Sequence, residues 1–279
     1  MRSVAAESIR DSLASLAQRA CLELGQDVIK ALHKAREAEH LSTARRILDM
    51  LLENAQVARR EAIPLCQDTG MAVVFCDVGQ AVQVTGGNLT DAINAGVRKG
   101  YKENFLRKSV CDPLTRRNTG DNTPAVIHYD IVPGDRLRLL FAPKGFGAEN
   151  MSRVVMLTPA QGLAAAQDFV VDTVKRAGAN PCPPVIVGVG LGGTLEKAAL
   201  CAKRALLRRL ETPNADAELQ DLERQWLREI NRLNIGPQGL GGNTTALAVH
   251  IQRFATHIAG LPVAVNLQCH SARHASVVL

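Results

Sequence analysis

Aromatic side chains make up only 3% of this chain, with one Trp and two Tyr, so the stacking platforms that hold single-stranded nucleic acid are missing. The net charge of +6 and pI near 9.1 therefore read as steering of a small anion, or as a solvated basic surface; the basic residues are dispersed along helices such as 202–210. No run approaches about 18 uncharged apolar residues, so no segment is expected to span a membrane. The first ten residues lack a continuous apolar core and mix acids with bases, unlike a secretory signal or a transit peptide. Cysteine pairs of the CxxC kind are absent too, which disfavours a ferredoxin-like or zinc-ribbon site. Seven cysteines is an odd count in a chain too long to need disulfide staples, so reduced thiols and a cytoplasmic setting are expected.

What is present suffices for a globular core. With 46% hydrophobic residues in 279, the chain can bury a core as one large domain or two small ones, with a helical lead-in to about residue 60. Ile9, Leu13, Leu16 and Ala17 recur at helical spacing, and Ile47, Leu51 and Ala55 repeat the pattern within 44–58. Residues 70–84 are β-rich and split at Val78-Gly79, a hairpin-like signal. A helix is expected from Thr90 to about Lys108, strands over 125–130 and 136–141, and a short strand after Gly147, followed by a helix over 159–177. The last third gives a strand over 185–189, helices over 194–210 and 215–233, and strands over 246–251 and 263–267. Without a strict βαβ rhythm, this predicts a mixed α/β fold of the layered α+β kind, not a doubly wound sheet.

One glycine run invites a cofactor reading. Gly188, Gly190 and Gly193 fit the dinucleotide fingerprint after the apolar Val185-Ile186-Val187. That fold needs a second apolar strand ending in an acid about 20 residues on, whereas residues 211–216 are polar and lead into another helix. The run then reads either as a tight strand-to-helix turn or as backbone N–H groups offered to an anion.

Three thiols stand beside turns or strand ends: Cys66 before Gln67-Asp68-Thr69-Gly70, Cys182 between Pro181 and Pro183-Pro184, and Cys269 after Gln268. Turns fix a thiolate's direction, and three such thiolates can hold an iron-sulfur cluster with one iron unligated. Cys21 and Cys201 lie in helices and read as small buried hydrophobes.

Six ordered motifs give a resemblance that covers nearly the whole chain from about residue 10. They are 64–70 around Cys66, 119–124 (Thr-Gly-Asp-Asn-Thr-Pro), 149–152 (Glu-Asn-Met-Ser), 180–194 from Cys182 through the glycine run, 234–242, and 269–274 from Cys269. Together they resemble the N-terminal part of class I, iron-sulfur-dependent fumarate hydratases and their relatives the L-tartrate dehydratases. The resemblance implies a [4Fe-4S] cluster held by Cys66, Cys182 and Cys269, its fourth iron facing the substrate as a Lewis acid. By the same resemblance Asp68 is the proton donor to the leaving hydroxyl, with an Asx-turn or helix cap as its structural alternative. Gln67, Arg107 and His257 are implied as substrate contacts, Arg107 as a bidentate clamp at a helix end. Backbone N–H groups around Gly145 and Gly147 are a further anion contact, although Phe146 interrupts the family's usual all-glycine run.

The chain ends ten residues after Cys269, where single-chain relatives continue, so a separate β subunit is expected to carry the C3 base and further cationic clamps. The resemblance points to an α subunit in an α2β2-type assembly that hydrates fumarate to L-malate. Dehydration of L-tartrate is the alternative within the family. A zinc-stabilised scaffold or an iron sensor using the same thiolates is the alternative from another class.

Overall fold

The computed structural model describes all 279 residues. A short strand β1 (Arg2–Ala5) precedes three helices, α1 (Ala6–Leu22), α2 (Gln26–Ala38) and α3 (Ser42–Glu61). Then come β2 (Met71–Gly79), β3 (Val82–Thr85), α4 (Leu89–Glu103), β4 (Val126–Val132) and β5 (Leu137–Lys144). The one-turn helix α5 (Phe146–Glu149), β6 (Arg153–Leu157) and α6 (Gly162–Ala177) follow. The last third holds β7 (Val185–Gly192), α7 (Leu195–Ala205), α8 (Ala217–Asn231), β8 (Ala246–Phe254), β9 (Leu261–Gln268) and β10 (Ala275–Val278). The expected mixed α/β class is what forms.

The chain makes two compact units, each gathered from separated stretches: residues 1–24, 55–146 and 273–279, and residues 25–54 and 147–272. In the first, a sheet of order β10-β5-β2-β4 packs one face on α1 and α4. Ile9, Leu13, Ile93, Val97, Leu137, Leu139 and Phe141 are fully buried there, each worth roughly 1.5–3 kcal/mol in water removed from apolar surface. Gly96 and Gly100 on α4 let α1 come close, since a methyl at Gly96 would stand 2.5 Å from Leu13 Cβ and one at Gly100 2.9 Å from Ala17 Cβ. Helix α4 starts where Asn88 Oδ1 accepts from the Thr90 and Asp91 amides.

In the second unit the sheet order is β6-β9-β7-β8, and β7 sorts its residues by alternation. Val185, Val187 and Val189 pack with Trp226 of α8 and Val170 of α6, while Gly188 and Gly190 point the other way, at α7. A methyl on Gly188 would collide with the Ala202 carbonyl, and one on Gly190 with that of Ala198. The glycine run is thus mostly a strand that lets a helix lie against its backbone, and not the tight turn expected, which is confined to Gly192 and Gly193 before α7.

Three expectations change. Residues 70–84 are not a hairpin, because β2 is a central strand whose edges are taken by β4 in parallel and β5 in antiparallel, leaving β3 to pair with β1. Helix α4 stops at Glu103, where Phe105 takes a left-handed φ of 53°, so Arg107 lies in a loop and not at a helix end. The buried stripe of α3 is Ala44, Leu48, Leu52 and Ala55, one residue round from the predicted Ile47 and Leu51. Strands β1 and β10 were too short and unpatterned to be expected.

His250 of β8 is 1% exposed and its Nδ1 lies 3.1 Å from the Ala205 carbonyl, to which it donates. Burial, and then the positive Arg208 nearby, hold its pKa down to about 4. The unfolded chain therefore binds the extra proton first: this stability is complete above the unfolded value of about 6.5 and is lost as pH falls toward 4, by about 3 kcal/mol at most. In urea titrations the stability gap between wild type and His250→Gln should close between pH 7 and pH 4.5. A gap that stays constant with pH would show that His250 titrates normally.

Candidate functional site

The segment after α3 has no regular structure, so its backbone groups need side-chain partners. Three consecutive carbonyls find them. Arg273 Nη2 donates to Asp68 O at 2.8 Å, the Tyr101 hydroxyl donates toward Thr69 O at 2.7 Å and Gly70 O at 3.0 Å, and Asn122 Nδ2 reaches Gly70 O at 3.2 Å. Burial, first of all, pushes the Tyr101 pKa far above its usual value, so the hydroxyl remains a donor at neutral pH. Gly70 has φ 75°, and a methyl there would sit 2.7 Å from the Lys144 amide nitrogen; only glycine suits that position.

These bonds aim Asp68. Its Oδ1 accepts from the Gly70 amide at 3.0 Å and its Oδ2 from the Phe146 amide at 2.9 Å. The Asx-turn alternative is thus real, and it shares the carboxylate with a second amide from the end of β5. Phe146 departs from the family's glycine run, yet it contributes its N–H while its side chain is 46% exposed. Cys66 is half-buried, and its thiol donates to Gln67 Oε1 at 3.3 Å. Arg107 is exposed, its carbonyl held by Thr69 Oγ1 at 3.0 Å.

The second unit brings Cys182 and Cys269 to one end of its sheet. The β7–β9 ladder pairs Ile186 with Gln268, and just beyond it the His270 amide donates to the Cys182 carbonyl at 3.4 Å. His270 Nδ1 lies 3.0 Å from the same carbonyl and 3.2 Å from Gln238 Nε2. Gln238 then gives both its backbone and side-chain N–H to Pro183 O, at 2.7 and 2.9 Å. Cys182 takes a left-handed φ of 54° and its side chain is exposed. Gly147 packs here, since a methyl on it would meet the Asn180 carbonyl at 3.3 Å. His257 does not join this group. It is exposed in the turn between β8 and β9, at the opposite end of β9 from Cys269, about 25 Å away at some 3.3 Å per residue.

No three His, Cys, Asp or Glu side chains gather closely enough to hold a single metal ion. The donor chemistry nonetheless separates the thiols. Cys21, Cys76 and Cys201 are buried, and burial pushes Cys21 up to about 11, Cys76 to about 12 and Cys201 upward; such thiols are neither nucleophiles nor metal ligands near pH 7. Cys66, Cys182 and Cys269 are all reachable and lie outside helices and strands, as thiolate ligands require. The roles of Tyr101, Asn122 and Arg273 were not foreseen. Asn122 and Arg273 stood within quoted motifs, whereas Tyr101 had no local signal at all.

In the reduced, folded chain iodoacetamide should modify Cys66, Cys111, Cys182 and Cys269 and leave Cys21, Cys76 and Cys201 intact, as read by peptide mass spectrometry. Equal labelling of all seven would contradict this burial pattern.

Known proteins share this sequence along its length. The chain is 38% identical over 273 residues to the "Putative L(+)-tartrate dehydratase subunit alpha" of Methanocaldococcus jannaschii, with 96% of each chain covered. It is 30% identical over 279 residues to the L(+)-tartrate dehydratase subunit alpha of Escherichia coli O157:H7, covering 99% of this chain and 92% of that one. Residues 10–278 match the family described as fumarate hydratase (Fumerase), and with the motif loops carrying the exposed thiols and the held Asp68, the chain belongs to that family.

Proposed function

We propose that this chain is the α subunit of a two-subunit [4Fe-4S] hydro-lyase that reversibly hydrates fumarate to L-malate. The observation that carries the reading is Asp68: a carboxylate with both oxygens fixed by amides, two residues from an accessible thiol and next to Gln67. Family membership supports the reaction class, and the relatives named as α subunits match the chain nearly end to end.

Cys66, Cys182 and Cys269 are the residues that would hold the cluster. When bound, it supplies Lewis acidity at the iron that lacks a protein ligand. The remaining work falls to side chains. Asp68 delivers a proton to the C2 hydroxyl as the C2–O bond breaks, so that water leaves and not hydroxide. Gln67 and Arg107 bind substrate carboxylate, Arg107 through its planar fork, with the Gly147 amide as a further anion contact. The proton lost from C3 goes to a base on the β subunit. His257 is the further substrate contact that the resemblance implies, although within its unit β9 carries it to the opposite end from Cys269. The whole chain, 1–279, acts as one catalytic domain in an α2β2-type assembly, and the odd number of cysteines supports a cytoplasmic setting.

A second reading, dehydration of L-tartrate to oxaloacetate, has support in the names of the two relatives above. Both reactions expel a C2 hydroxyl, so one assay separates them. The chain, co-expressed anaerobically with its β partner, should be brown and should turn over malate and fumarate; turnover of tartrate alone would select the second reading. Asp68→Asn should keep the cluster's visible absorption and lose about 10²–10⁴-fold in kcat. A colourless protein with stoichiometric zinc, or full malate dehydration by the isolated chain, would refute the proposal.

A further inference from the structure

The Cys66–Gly70 segment and the Arg107 segment are far apart in sequence yet hang from the same buried side chains. Asn122 is wholly buried with φ 62°. Its Nδ2 holds Gly70 O at 3.2 Å, and its Oδ1 accepts from the Ser109 amide, two residues beyond Arg107, at 2.7 Å. The left-handed backbone is kept by its neighbour Asp121, whose Oδ1 accepts from the Thr123 amide and hydroxyl at 3.0 and 2.7 Å and whose Oδ2 accepts from Arg98 at 2.7 Å. Tyr101, fully buried on α4, stands under the same loop and spends its one hydroxyl proton between Thr69 O and Gly70 O. Arg273 completes the set from the far end of the chain. It is 3% exposed and gives one N–H to Asp68 O, while its Nε and Nη1 are buried with no protein acceptor.

We infer that Tyr101, Asn122 and Arg273 are positioning residues, a buried hydrogen-bond hub that sets the direction of the Asp68 carboxylate and couples it to the Arg107 segment. The inference rests on the hydro-lyase reading for its kinetic consequence, and on the hydrogen bonds alone for its structural one. The Tyr101 hydroxyl touches only the two carbonyls that follow Asp68, while its backbone carbonyl, which a phenylalanine keeps, accepts from the Leu106 amide, so losing the hydroxyl alone misdirects the proton donor. Asn122 touches both segments, so losing its amide disturbs proton delivery and carboxylate binding together. A displacement of about 1 Å at a reacting group is enough to cost up to about a hundredfold in rate.

The test uses Tyr101→Phe, which keeps the ring, and Asn122→Gly, which keeps the left-handed backbone, in the full chain. On the reduced, metal-free chain, the rate of iodoacetamide modification at Cys66 is measured against that at Cys182, which belongs to the other compact unit. The ratio should rise about threefold or more in both variants, because a released loop opens more often. In the reconstituted enzyme Tyr101→Phe should lower kcat about tenfold or more with KM nearly unchanged, and Asn122→Gly should lower kcat and raise KM. Unchanged alkylation ratios in both variants overturn the hub, whatever their thermal stability. A raised ratio with wild-type kcat and KM overturns its part in catalysis. If one variant fails to fold, the other decides. A wild-type enzyme inactive on every dicarboxylate tried would sink the hydro-lyase reading, and the alkylation ratio alone would then decide whether the hub holds the loop.

Discussion

Backbone carbonyls that lie outside helices and sheets still need donors, and at residues 68–70 that need is met by side chains alone. The partners come from α4, from the 119–124 motif and from the last seven residues. Each unpaired buried carbonyl would cost about 1–3 kcal/mol, so the loop's conformation is tied to the presence of all three segments. The fold brings them together by ordinary packing: β10 pairs with β5 and carries the C-terminal stretch in, and the Gly96 and Gly100 contacts lock α4 on α1. The geometry of the Asp68 loop therefore depends on helix packing some distance from it.

The second unit solves its positioning problem differently. Cys182 and Cys269 are placed by strand register: β7 begins where β9 ends, and the Cys182 carbonyl receives the backbone amide of His270. The register in turn depends on β7 lying flat between two helical layers. Its valines face the large core around Trp226, and its glycines admit α7 on the other side. One sequence stretch thus does two jobs through alternation, large residues on one face and none on the other.

That division explains what could be read beforehand. Periodicity located the helices and most strands, because burial on one face leaves a period in the sequence. It misjudged β2 because pairing partners are chosen by the sheet and leave no local mark, and it overran α4 because Phe105 offers no glycine or proline to announce the helix end. The cysteines were legible through turn residues that flank them. The hub was not: Tyr101 sits on a helix like any buried aromatic, and nothing local says that its hydroxyl meets a loop more than thirty residues away. His257, implied by the resemblance alone, is separated from Cys269 by the whole length of β9, a distance that no local pattern announces.

The Phe146 position shows why a motif departure need not change chemistry. A glycine run beside an anion suggests that absent side chains are the point, yet Asp68 uses the amide of residue 146, which every residue but proline supplies. What must stay small is Gly145, where a methyl would stand 3.2 Å from the same carboxylate oxygen. With one amide on each oxygen the carboxyl group cannot rotate without breaking a bond. Each oxygen keeps a second lone pair, so the direction of any further hydrogen bond to Asp68 is set before a partner arrives, and an interaction fixed in advance in this way needs no reorganisation of the protein when it forms.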